Sequence, residues 1–323
     1  RQQRGCSIHL ALIGLVAFTG CSSDEPEDTA DSVEADATEP TTVAETVPPE
    51  AAPATDALGT TTEAPAEPVG PPTVGSATQI ANGIFFDQED RLWVASVRVG
   101  IFVVDPDSGE VLQRYPANVA SADDLTVASD GTVYFTDLLQ GQVGIIDPDG
   151  TLREERLEVA PGANSITFSD DGRLFVGSVF GGDGLFEVDT TGATPPRVVT
   201  PDPGQLNGMD FGPDGFIYAP RWTESTIVRV DPETGEFTTI AENSESRYTA
   251  VKFDADGVLH TVESNPAHVV EIDITTGERT ILATLEGTND NLAFDSTGRL
   301  FVSSTTDGSI HEVLDDGSVR LVN

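Results

Sequence analysis

The sequence predicts an all-β fold, a six-bladed β-propeller of four-stranded antiparallel blades, on three observations. First, one hairpin unit recurs along the chain. Aligned on a single hydrophobe per copy, its anchors are Phe86, Val127, Phe168, Phe211, Phe253 and Phe294, spaced 41, 41, 43, 42 and 41 residues apart. Second, the fullest copy, Asn164 to Ser178, is two apolar runs joined at Asp171-Gly172. An Asp-Gly step between apolar runs is a strong hairpin signal, because glycine takes positive φ without strain. Third, each hairpin is followed by a third strand, a turn and a fourth strand, as in Gly184 to Asp189 or Ser225 to Asp231. Four short strands at a period near 42 residues mark a propeller blade.

In chain order, residues 1–21 read as a leader rather than fold. Arg1 and Arg4 precede an apolar run, Ile8 to Phe18, that is short for a membrane span. Phe18-Thr19-Gly20-Cys21 then resembles a bacterial lipobox, with Phe18 where Leu is usual; the resemblance implies that Cys21 is lipidated. The expected location is the bacterial cell envelope, outside the cytoplasm, held to the membrane by lipid alone. Cys6 leaves with such a leader, so the folded part has no cysteine for disulfides, thiolate ligands or nucleophilic chemistry.

Residues 22–78 read as a disordered acidic tether rich in Pro, Thr and Ala. They hold 13 acids and no Lys or Arg, with too little apolar surface to offset the entropy of ordering. Residues 79–323 form the propeller. They carry 42 acids against 14 bases, a difference of −28. That balance excludes nucleic acid as a partner, since no basic groove displaces counterions from phosphates. Many of the acids sit in turns such as Asp105-Pro106-Asp107-Ser108-Gly109, which lack the ligand spacing of an EF-hand. A monomer is expected.

In a propeller the first strand of each blade lines the channel, and its start shares a face with the end of the antiparallel second strand. Four residues before each anchor stand Asn82, Asp123, Asn164, Asn207, Thr249 and Asp290. Ten residues after each anchor stand Ser96, Asp137, Ser178, Arg221, Glu263 and Ser304. The first ring is entirely oxygen-bearing, which suits a hard divalent cation and calcium above zinc. The bland alternative is that these polar residues begin strands and bond local backbone. His260 takes the aromatic position of its second strand and is expected to pack between blades; no Ser-His-Asp arrangement is legible.

Asn164 to Asp189 and Leu206-Asn207-Gly208-Met209-Asp210-Phe211-Gly212-Pro213-Asp214-Gly215 resemble repeats of the regucalcin/gluconolactonase (senescence marker protein) family. Asp290 to Gly298 is similar to a calcium-site segment of the more distant paraoxonases. The resemblance covers about residues 80–320. It implies a six-bladed propeller with calcium or another divalent cation in the channel, and hydrolysis of lactones or related esters. It also implies Asn164 and Asn207 as metal-binding asparagines. Two positions depart from the family pattern: Asn82 stands for a metal-binding Glu, and Thr249 for an Asp proposed as the base. A Thr hydroxyl is no general base near neutral pH.

Asp123, Asp290 and Glu263 are therefore the candidate catalytic carboxylates, and Asn164, Asn207, Asp290 and Asp123 the candidate metal ligands. Arg221, Trp222 and Asn82 are the candidate substrate contacts, with an ion pair to Glu263 as the alternative for Arg221. Two functions stay open: a metal-dependent lactone or ester hydrolase, and a non-catalytic propeller binding a ligand or protein at the cell surface.

Overall fold

The computed structural model describes residues 80–116 and 120–323. The leader at 1–21 with Cys21, and the tether at 22–78, lie outside the described residues. Among the described residues no helix is long and apolar enough to cross a membrane. The chain forms six antiparallel sheets of four strands, each pairing its strands in sequence order. Blade 1 runs from Ile84–Phe86 to Val111–Pro116 and blade 6 from Asn289–Phe294 to Val319–Leu321, so neither borrows a strand from the other. The third strands expected at Gly184 to Asp189 and Ser225 to Asp231 form at Gly184–Val188 and Thr226–Val230. The shortest strands are the fourth of blade 2, Leu157–Glu158, and the first of blade 4, Asp210–Phe211.

The turns account for the repeat. Each first hairpin needs one residue at positive φ, and five blades place Gly131, Gly172, Gly215, Gly257 or Gly298 there, at φ between 77° and 87°. Blade 1 uses Asp90 at φ 56° instead. Its carboxylate accepts the Ser296 backbone N–H at 2.8 Å and hydroxyl at 2.6 Å, which ties blade 1 to blade 6. The turns between third and fourth strands start on Asp105, Asp231 and Asp273. Each carboxylate accepts the backbone N–H groups two and three residues on. Those donors hold all three carboxyls below the ordinary Asp range. These turn acids serve their own backbone.

Six apolar clusters fill the six seams between neighbouring blades. A shared motif builds them: the second-strand aromatic of one blade packs on the anchor of the next. Tyr134 meets Phe168 at 5.3 Å between centroids, Phe175 meets Phe211 at 5.2 Å, and Tyr218 meets Phe253 at 4.9 Å. His260 meets Phe294 at 5.0 Å, the packing role expected of it. Phe301 meets Phe86 at 5.0 Å across the closing seam and is fully buried. Phe301→Ala is expected to cost about 3–5 kcal/mol, the range for emptying a core aromatic site. Urea unfolding measures it, and a loss under ~1 kcal/mol would mean that this seam contributes little to closure.

Near one end of the channel the first two strands slip register in blades 2, 3, 5 and 6. In blade 2 the pair Ala122↔Asp137 is followed by Leu125↔Phe135, so two first-strand residues oppose one. Such a β-bulge re-aims side chains. It contains Asp123-Asp124 in blade 2, Asn164-Ser165 in blade 3 and Asp290-Asn291 in blade 6.

Candidate functional site

The bulges set two successive residues per blade against the channel. At the mouth, the Asn82 amide donates to Asp290 Oδ2 at 3.1 Å, and the Asn164 amide to Asp123 Oδ2 at 2.5 Å. These bonds link blade 1 to blade 6 and blade 3 to blade 2. Asn82 Oδ1 accepts the Val97 backbone N–H at 3.2 Å, which fixes the direction of its amide. Asn164 Oδ1 is buried and has no hydrogen-bond partner. A buried acceptor without a partner is costly, and this oxygen is one of eight such side-chain atoms among the described residues.

One residue further along the strands, Asp124 reaches across the channel. Its Oδ1 accepts the Asn291 amide at 3.1 Å and the Leu125 N–H at 2.9 Å. Gly83 makes the crossing possible, since a Cβ there would lie 2.3 Å from Asp124 Oδ1. Deeper still, Lys252 Nζ lies 3.3 Å from Asp210 Oδ1 and 5.0 Å from the centre of the Phe85 ring. Lys252 is the only lysine in the chain, and its side chain is 13% exposed.

The carboxyls at this site perturb one another. Burial pushes Asp123 well above the ordinary range, and the charges of Asp290 and Asp124 push it further. Burial raises Asp124 to about 7, against the opposing charge of Lys252 and its backbone N–H donors. Asp290 rises to about 6 through desolvation, partly offset by the Asn82 hydrogen bond. Asp290 is half-buried. Ionising all three carboxyls together is therefore unfavourable without a further positive charge beside them.

The structure brings together Asn82, Asp123, Asn164 and Asp290. Asn207 takes the equivalent position in blade 4, nearly buried, with its backbone N–H on Pro220 O at 3.0 Å. Thr249 departs from the expected ring. Its hydroxyl turns to the Val262 and Asn289 carbonyls at 3.3 and 3.4 Å and serves as a structural bond between blades 5 and 6. Glu263 is 1% exposed; it accepts from Asn243 at 2.9 Å and forms an ion pair with Arg279. The alternative Arg221–Glu263 pair does not form. Arg221 instead pairs with Glu224 and donates through Nε to Pro203 O at 2.7 Å. Trp222 stands on the mouth-side loop, packed edge-on against Phe180.

Asp124, Asn291 and Lys252 were not among the expected site residues. The doublets Asp123-Asp124 and Asp290-Asn291 carry the missed signal. Two polar residues before an apolar one break strand alternation, as a bulge does.

Among the described residues, no group of three or more His, Cys, Asp or Glu is arranged to hold a metal ion. The donor set at the mouth is instead two carboxylates with amide oxygens. Hard cations accept both kinds of oxygen, and the unpartnered Asn164 Oδ1 beside mutually repelling Asp123 and Asp290 fits such an ion.

The family model described as a repeat of unknown function (DUF6923) matches residues 141–298. No curated protein sequence matches the chain. Among solved structures, a catalytically inactive virginiamycin B lyase from Staphylococcus aureus, with quinupristin, shares 18% identity. That match has a TM-score of 0.59 and covers 77% of this chain and 86% of the other. A gluconolactonase from Xanthomonas campestris shares 16% identity over 77% and 88% of the two chains, with a TM-score of 0.61. The calcium-binding protein regucalcin from Agrobacterium tumefaciens shares 18% identity over 71% and 82%, with a TM-score of 0.58. At these identities the likeness is one of fold.

Proposed function

We propose that this propeller is a divalent-cation-dependent hydrolase of lactones or related esters, lipid-anchored through Cys21 on the outer side of a bacterial membrane. Asp123 and Asp290 with the amide oxygens of Asn164 and Asn207 hold the cation, and calcium suits that donor set best. The observation that carries the reading is the Asp123–Asp290 couple beside the unpartnered Asn164 Oδ1. When bound, the cation would polarise a substrate carbonyl. The chain supplies the rest. Asp124, the channel carboxyl outside that donor set and raised to about 7, accepts a proton from the attacking water and returns it to the departing alkoxide oxygen as the ester bond breaks. Asn82 orients Asp290 through its amide. Glu263 acts at a distance, stiffening the mouth through Arg279 and Asn243.

One observation favours the second reading, a non-catalytic binding propeller. Thr249 puts no base at its position and spends its hydroxyl on two backbone carbonyls.

Calcium titration calorimetry on the full chain, followed by a lactone panel with and without EDTA, separates the two. One tight site lost in Asn207→Ala, with lactone turnover abolished by EDTA, is the expected result. Diffuse heat untouched by Asn207→Ala overturns the cation assignment. Tight calcium binding without turnover on any lactone leaves the binding propeller as the function.

A further inference from the structure

Three of the four non-glycine residues at positive φ among the described residues crowd one place on the mouth face. They are Phe180 at 61°, which packs on Trp222, Gln205 at 60°, which bonds the Trp222 backbone, and Ser225 at 53°, which ends the turn from Arg221 through Trp222. Residues held in this region persist only where surrounding structure enforces them, and they concentrate at ligand-binding sites. The enforcement is visible. Asp183 accepts the Gln205 N–H at 2.8 Å and the Gly204 N–H at 3.1 Å. Gln205 O in turn accepts the Trp222 N–H at 2.9 Å, and its side-chain Oε1 accepts the Phe180 N–H at 3.5 Å. Arg221 Nε fastens the same loop through Pro203 O.

This frame holds up an aromatic side chain that buries little. Phe180 is 55% exposed, and its ring meets Trp222 edge-on at 5.4 Å and 81°. The Arg247 guanidinium lies over the indole, 4.4 Å from its centre. Arg247 is exposed, and among the described residues no carboxylate lies within ion-pair distance of it. Its guanidinium is therefore open to an anion, as that of Arg114 is, but Arg247 lies beside the exposed Phe180 ring. A guanidinium lying on a ring face can still turn an N–H fork outward, and that fork matches a carboxylate.

We infer that Phe180, Trp222 and Arg247 form a binding ledge for a small ligand that joins a flat aromatic ring to a carboxylate. The ring packs on Phe180 and the edge of Trp222, and the carboxylate takes the Arg247 fork. The ledge uses none of the channel carboxylates, so it stands whether or not the channel holds a cation.

Fluorescence titration of the full chain in EDTA tests it, with phenylacetate as probe. The chain has two tryptophans, and Trp93 is buried with its indole N–H on Asp87, so quenching by a surface ligand reports on Trp222. Phenylacetate is expected to quench saturably. Phenylacetamide lacks the charge and acetate lacks the ring, and each should bind at least tenfold more weakly. Arg247→Gln and Phe180→Ala should weaken phenylacetate by a similar factor, with unchanged melting temperatures. Arg114→Gln, which removes another ring-stacked arginine over Phe102, should change nothing. The ledge is overturned by an absence of saturable quenching, by equal binding of phenylacetate and its amide, or by an Arg247→Gln variant that binds as tightly. The amide comparison needs no variant, so it decides the matter even if a substitution disturbs folding.

Discussion

Asp123→Asn and Asp290→Asn should each make the metal-free protein more stable and at the same time abolish cation binding. The two effects share one cause. Asp123 and Asp290 are raised by burial, and Asp123 further by its charged neighbours, so each costs the folded state free energy when ionised. An asparagine keeps the shape and the hydrogen bond with Asn164 or Asn82 while removing the charge. Thermal unfolding at pH 8 in EDTA is expected to show a gain of about 1–3 kcal/mol for Asp290→Asn and a gain of the same sign for Asp123→Asn. Calorimetry is expected to show calcium affinity reduced by at least ~100-fold, about 2.7 kcal/mol. The opposite pairing, a destabilised fold with binding intact, would mean that these carboxylates are structural and that the cation reading is wrong.

The second large effect concerns pH. Asp124 and Asp290 have folded-state pKa values near 7 and 6, above the unfolded value of 3.8. A carboxyl raised in this way contributes stability that is complete below 3.8 and is lost as pH rises through its folded value. Without metal, stability should therefore fall between pH 5 and pH 8. At about 1.4 kcal/mol per pH unit, the two units from pH 5 to the folded value of about 7 make Asp124 alone account for on the order of 3 kcal/mol within this window. Two groups work the other way. Burial lowers His311, which takes stability away as pH drops below 6.5. The depressed carboxyls of Glu187, Asp189 and the turn aspartates lose their contribution only below about pH 4. The channel carboxyls outnumber the one opposing imidazole within the window, and a His311→Gln variant isolates its share. Urea unfolding at pH 5 and pH 8 in EDTA makes the measurement. Saturating calcium should flatten the difference, because it stabilises the folded state by mass action and does so most where the carboxylates are ionised. A metal-free protein more stable at pH 8 than at pH 5 would show that these carboxyls are not perturbed as described.

The blade count, the strand order and the inter-blade role of His260 were legible because a propeller repeats its local chemistry at a fixed period. The turn glycine at Gly172 recurs four more times, and the anchor position at Phe168 and the ring position at Phe175 recur five more times each, so one blade could be read by its siblings. The site was legible only as positions. Counting from the anchors found Asp123, Asn164 and Asp290, but Thr249 fell in the same register and turned its hydroxyl away, since a short side chain beside two carbonyls satisfies itself locally. Glu263 was equally well placed by count, yet Arg279 from its own blade claims it. Partner choice of this kind depends on side-chain reach across strands, which spacing does not encode. The β-bulge was the larger omission, because one extra residue brings Asp124 and Asn291 into the channel and converts a single ring into two. Neither Phe180 nor Arg247 belongs to any repeat position, and only their spatial meeting with Trp222 gives them meaning.

The lone lysine has a practical corollary. Because Lys252 is the chain's only ε-amine and sits inside the channel against Asp210 and Phe85, the exterior of the described blades offers acylating and reductive-alkylating reagents no lysine to attack. Amine-reactive labelling at that position becomes a clock for breathing of the propeller: its rate follows how often the channel opens wide enough to admit the reagent, with no competing ε-amine to dilute the signal.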